Sequence, residues 1–73
     1  MTLDQAKRGQ KIIVKSIPQE SIRAQAIRFG ISEGAVIRCE EAVPAGPVVV
    51  SRNKQEIAIG RELAKDIQVE PIS

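Results

Sequence analysis

The sequence predicts a mainly β fold: a small, strongly bent, five-stranded barrel with one short helix inserted after the first strand. Three observations predict it. Short β-branched or alternating runs recur, with turn signals every 8–12 residues or about that spacing. Only one stretch, residues 19–29, keeps helical spacing for more than a turn. And 73 residues make one domain, residues 1–73, too short for two full sheets. A single sheet that must bury one face at this size and strand count bends into an SH3-like barrel.

Taken in order, residues 2–9 read as a single helical turn. Thr2 and Gln5 have capping-box spacing, Leu3 and Ala6 form the buried side, and Gly9 terminates the turn. Residues 10–17 (Q-K-I-I-V-K-S-I) are the first strand. Ile12 and Val14 share one face and Ile13 and Ile17 the other, the pattern of a strand whose second face the helix covers. Pro18 ends the strand because it has no N–H to give to a ladder.

Residues 19–29 are the helix. Ile22, Ala26 and Phe29 are spaced i, i+4, i+7 and form the core stripe. Gly30 supplies the left-handed C′ position, and Ile31 packs back on Ala26 as in a Schellman cap. Ile27 falls roughly 140° from the centre of the stripe, at about 100° per residue. A wide core stripe would bury it. The alternative is a small exposed patch, Ala24 and Ile27 rimmed by Arg23 and Arg28, with the apolar centre and arginine edge of a protein-docking surface.

Gly34 allows a second turn before a strand at residues 35–43. There Ala35, Ile37, Cys39 and Val43 point inward and Val36, Arg38 and Glu40 outward, with a bulge or strand end near Glu41. Inward placement makes Cys39 a structural residue. Pro44, Ala45, Gly46 and Pro47 are a turn. A Val48, Val49, Val50 strand and a strand at residues 55–59 flank the polar reversal Arg52, Asn53, Lys54, with Ile57 and Ile59 inward. Gly60 breaks the second of these strands. A single helical turn at residues 61–65 and a last strand at residues 67–70 follow, and Pro71 ends the chain's β-structure. Gly30, Gly34, Gly46 and Gly60 are thus turn glycines and do not form a phosphate-cradling loop.

Composition excludes several kinds of chemistry. With no histidine, Ser/His/Asp and Cys/His catalysis and the commonest transition-metal ligand are lost together. The single cysteine forms no intrachain disulfide, in keeping with a reducing compartment. No Cys/His/Asp/Glu spacing suggests a metal site, and no cofactor is expected. Phe29 is the sole aromatic residue, too few for a base-stacking platform. No apolar run approaches the roughly 18–20 residues of a membrane span, so direct insertion into a membrane is not expected, and the N-terminus lacks the apolar region of a signal peptide. The residues therefore describe a non-enzymatic binding module.

Four blocks name a family it resembles. They are T-L-D-Q-A-K-R-G (residues 2–9), A-I-R-F-G-I-S-E-G (26–34), P-A-G-P-V-V-V (44–50) and E-I-A-I-G-R-E-L-A-K-D-I-Q-V (56–69). In order and spacing they are similar to the ferrous iron transport protein A (FeoA) family, over residues 2–70. The resemblance implies the same barrel. It also implies a cytoplasmic accessory protein of bacterial ferrous-iron uptake, peripheral to the inner membrane through its partner. That partner would be the cytoplasmic GTP-binding domain of the transporter FeoB, whose GTPase or transport activity it would modulate. A related barrel occurs in iron-dependent repressors, but no helix-turn-helix precedes it in this sequence. The expected docking residues are Arg23, Ala24, Ile27 and Arg28. Two other readings stay open. One is a small basic barrel that binds nucleic acid through Lys7, Arg8, Lys11 and Lys15, a cluster that otherwise reads as a solvated edge. The other is a weak ferrous-iron chaperone or sensor. Unpaired barrel edges leave room for a weak homodimer.

Overall fold

The structure, a computed structural model, describes residues 1–72. A 3-10 turn at Leu3–Gln5 leads into β1 (Lys11–Ser16), and helix α1 (Glu20–Arg28) follows. The chain then runs through β2 (Val36–Ala42), β3 (Val48–Arg52), β4 (Gln55–Ile59), the single turn α2 (Arg61–Ala64) and β5 (Gln68–Pro71). The five strands form one antiparallel sheet in the order β4-β3-β2-β1-β5. It is strand-for-strand the expected fold, except that β4 and β5 do not pair, so the barrel stays open.

The chain's own N-terminus lines the outer side of β5. Met1 and Val69 exchange backbone hydrogen bonds, and the Leu3 N–H donates to the Ile67 carbonyl at 2.9 Å. The 3-10 turn is closed by the Thr2 N–H donating to Gln5 Oε1 at 2.9 Å, one half of the capping box its spacing predicts. This pins Leu3 and Ala6 into the core.

The core is purely aliphatic apart from Cys39. Ile12 and Val14 of β1, Ile37 and Cys39 of β2, Val48 and Val50 of β3, Ile59 of β4 and Val69 of β5 meet on the concave face. Leu3, Ile17, Ile22, Ile31 and Ile67 close its ends. Among the described residues no polar or charged side chain is buried.

Two bulges correct the predicted strand faces. The β1–β5 register shifts between Val14 and Ser16, with Lys15 the extra residue. One added residue inverts the side-chain alternation. Ile17 therefore joins Ile12 and Val14 in the core, and Ile13 alone is left on the outer face, half-buried opposite Val36 and not under the helix. The β2–β3 register shifts between Cys39 and Glu41. This turns Ala42 inward opposite buried Val48 and leaves Val43, expected inside, exposed.

The turns divide by what they require of glycine. Gly30 and Gly34 have φ of +77° and +90°, a conformation that favours glycine. Gly46 has no positive φ, but a Cβ there would lie 2.8 Å from Val43 Cγ1, so the turn closes too tightly for a side chain. Gly60 differs from both: it caps the start of α2 at φ −57° with open space around it, and nothing there demands glycine.

Candidate functional site

The helix α1 presents the one predicted docking face. Its geometry begins with how it stops. The Gly30 N–H donates to the Ile27 carbonyl and the Ile31 N–H to the Ala26 carbonyl, both at 3.0 Å. This is the bond pair of a Schellman cap, with Ile31 folded back into the core as its spacing predicts. The Arg52 guanidinium, from the β3–β4 hairpin, donates to the Gly30 carbonyl and ties the helix exit to the sheet.

Ile22, Ala26 and Ile31 complete the buried side of the helix. Phe29, placed on the stripe by its i+7 spacing, is instead 49% exposed. The reason is that α1 ends at Arg28. Phe29 is the C-cap at φ −99°, ψ 8°, outside helical geometry, so the 100° rule no longer positions it. The glycine that follows it was the signal: a residue immediately before a C′ glycine is a cap, and Ile31 takes the core position in its stead.

Ile27 is 59% exposed, which removes the wide-stripe reading. Ala24 and Arg28 are exposed beside it and Arg23 is half-buried. Among the described residues neither Arg23 nor Arg28 joins a salt bridge. The four residues thus form one solvent-facing patch, apolar at its centre and cationic at its edge.

The basic cluster lies elsewhere. Lys7 and Arg8 occupy a turn closed by the Gln10 N–H on the Lys7 carbonyl, with Gly9 at φ +84°. Lys11 and Lys15 point outward from β1, and Lys11 stands directly opposite Arg38 of β2, a neighbour that sequence alone did not pair with it.

Cys39 is fully buried on the concave face, as its inward position predicts. Burial pushes its thiol pKa up. A hydrogen bond with the Glu41 backbone opposes this, and the nearby Glu40 carboxylate adds to it. Among the described residues no three Cys, Asp or Glu side chains come together as a metal-ligand group, and there is no cavity. No helix among the described residues is long and apolar enough to cross a membrane.

Comparison with known proteins places this architecture. The chain superimposes on a crystal structure of the iron uptake regulatory protein FeoA with a TM-score of 0.91, at 30% identity over 99% of this chain and 97% of that one. A FeoA protein from Chlorobium tepidum matches with a TM-score of 0.84 at 25% identity, over 100% of this chain and 71% of that one. The regulator ScaR, solved with bound Zn2+, shares the fold with a TM-score of 0.89 at 24% identity, but this chain spans only 37% of it. No curated protein sequence matches. The family model described as the FeoA domain matches residues 1–71, all but two of the 73, and the chain belongs to that family, whose role lies in iron uptake.

Proposed function

We propose that this protein is a non-enzymatic cytoplasmic accessory factor of ferrous-iron uptake. It docks through Arg23, Ala24, Ile27 and Arg28 on the cytoplasmic GTP-binding domain of FeoB and modulates that transporter's GTPase or transport activity. The observation that carries the reading is Ile27. It is a large apolar side chain, 59% exposed, on a helix whose core stripe is already complete without it. Burying such a side chain in a partner contributes roughly 1.5–3 kcal/mol, and arginines at the rim add orientation and specificity. Such a factor acts only through differential affinity: it shifts the transporter toward whichever conformation it binds more tightly.

The test is an NMR titration with the soluble GTP-binding domain of the cognate FeoB, with and without nucleotide. Shifts should cluster on residues 23–28. Ile27→Glu should keep the native spectrum and weaken binding by roughly tenfold or more, equivalent to at least about 1.4 kcal/mol. Undiminished binding by a folded Ile27→Glu variant would overturn the assignment of this face.

A further inference from the structure

The outer face of β1, β2 and β5 has an organisation that the helix does not account for. Lys11 of β1 lies directly opposite Arg38 of β2. Like charges paired across strands repel, so the arrangement works against the stability of the isolated domain. One step along the same face, Ile13 lies opposite Val36, which is 46% exposed. On the other side of Lys11, Ile72 continues the β5 edge, its N–H donating to the Lys11 carbonyl, and is 48% exposed. The turn carrying Lys7 and Arg8 ends the same two strands, held by the Gly9 N–H on the Cys39 carbonyl at 2.7 Å.

Charge on this face is lopsided. Lys7, Arg8, Lys11, Lys15 and Arg38 are answered by three carboxylates, of which Glu41 is exposed opposite Val49 at the far end of β2. Glu70 lies 3.9 Å from Lys15, and Glu40 lies 3.7 Å from Arg38 while also accepting a hydrogen bond from Ser51. The face thus holds a surplus of two positive charges, as much as the net +2 of the whole chain. Toward β4 the same side of the sheet turns acidic at Glu56, which bounds the basic region.

We infer that this face seats the domain on an anionic lipid surface, with Lys7, Arg8, Lys11 and Arg38 at the headgroups and Ile13, Val36 and Ile72 pressed into the interface. Positive charge around an aliphatic centre is the combination that holds peripheral proteins on anionic bilayers. An anionic leaflet would also relieve the Lys11–Arg38 repulsion by supplying counter-charge to both. Nucleic acid fits the face less well. The centre is aliphatic, and the sole aromatic side chain, Phe29, sits at the end of α1 and offers these strands no stacking surface. The contact is separate from the α1 patch, so a domain held this way keeps that helix available to a protein partner.

Co-sedimentation of the full chain with vesicles of about 3:1 phosphatidylcholine to phosphatidylglycerol tests the inference. Binding is expected to such vesicles and not to phosphatidylcholine alone, and to fall as salt rises from about 0.05 to 0.5 M. Lys11→Glu converts the repulsive pair into an attractive one and should fold at least as well. It should weaken vesicle binding about 25-fold, two charge steps of roughly fivefold each. Val36→Ser leaves charge untouched and should weaken binding about fivefold through lost apolar contact. Ile27→Glu should bind vesicles like the unaltered chain, which separates this contact from docking on FeoB. Failure to bind anionic vesicles at low salt would overturn the inference. So would undiminished binding by Lys11→Glu, or tighter binding to duplex DNA or RNA than to vesicles at equal salt.

Discussion

Two residues show how a core with no buried polar side chain among its described residues still depends on polar contacts at its margin. Arg61 closes the mouth of the fold by reaching three backbone carbonyls in two segments, the N-terminal 3-10 turn and the β2–β3 turn. Its Nε donates to Gly46 at 2.9 Å, Nη1 to Asp4 at 3.1 Å and Nη2 to Val43 at 2.7 Å. A lysine, a point charge without the planar fork, could not hold all three. Cys39 illustrates the opposite environment. Its thiol is packed among aliphatic side chains, and its raised pKa keeps it protonated in the fold. The folded thiol ionises at higher pH than the unfolded one, so the unfolded state loses its proton first as pH rises. The stability contributed by the protonated thiol is complete below the ordinary thiol range and declines above it. Iodoacetamide should therefore label Cys39 at the rate of global unfolding, and the unfolding midpoint should fall as the solution is made alkaline. Labelling of the native protein as fast as a free thiol would show that Cys39 is accessible in a way the core packing forbids.

At the scale of elements, the β3–β4 hairpin departs from the residues its geometry prefers. Asn53 and Lys54 have φ of +52° and +66°, the pair of left-handed conformations of a type I′ turn, and the strongly favoured second residue is glycine. A Cβ at Lys54 costs about 1–2 kcal/mol in that conformation, partly offset by the smaller entropy its unfolded backbone has to lose. Lys54→Gly should therefore stabilise the domain by about 0.5–1 kcal/mol, seen as a rise in Tm of roughly 3–6 °C, while Lys54→Ala should give no gain. Equal Tm values for the two variants would mean that the turn is not held as tightly as its dihedrals imply. The same elements show what a sequence can carry. Asn53 and Lys54 between two apolar runs, the helix stop at Gly30 and the return of Ile31 are local chemistry, and all were readable. The face of Ile17 was not, because it lies beyond a bulge at Lys15 that inverts alternation and that no local residue type announces; the irregularity near Glu41 was readable, but not that it would turn Val43 outward. Phe29 was misplaced for a similar reason: periodicity cannot say where a helix stops counting. At the candidate site, Ile27 could be singled out from its angle alone, but its exposure needed the packed core. The pairing of Lys11 with Arg38, residues 27 apart in sequence, needed the strand register.

The whole molecule is an open barrel, and an open barrel has to be closed by something other than strand pairing. Here the closing pieces are short: α2 with Ile67 between β4 and β5, and the N-terminal 3-10 turn against β5. Leu3 is the side chain through which the second piece acts. It is fully buried, sits in the same core as Ile67 and Val69, and its N–H is bonded to the Ile67 carbonyl. Leu3→Ala removes buried methyl groups from a site where the surrounding sheet cannot collapse inward, a change that costs about 2–5 kcal/mol. A single core of this size supplies only about 3–5 kcal/mol in total. The substitution should thus shift the urea midpoint of the whole domain, with α1 and the strands lost together when followed by circular dichroism and by amide signals on every element. Leu63→Ala, on α2 but only partly buried, should cost about 1 kcal/mol and leave a folded protein. If Leu3→Ala instead loosened only residues 1–6 and left the midpoint unchanged, the N-terminal turn would be an ornament on a barrel stable without it. The open edge of β5 would then be free to pair with another chain.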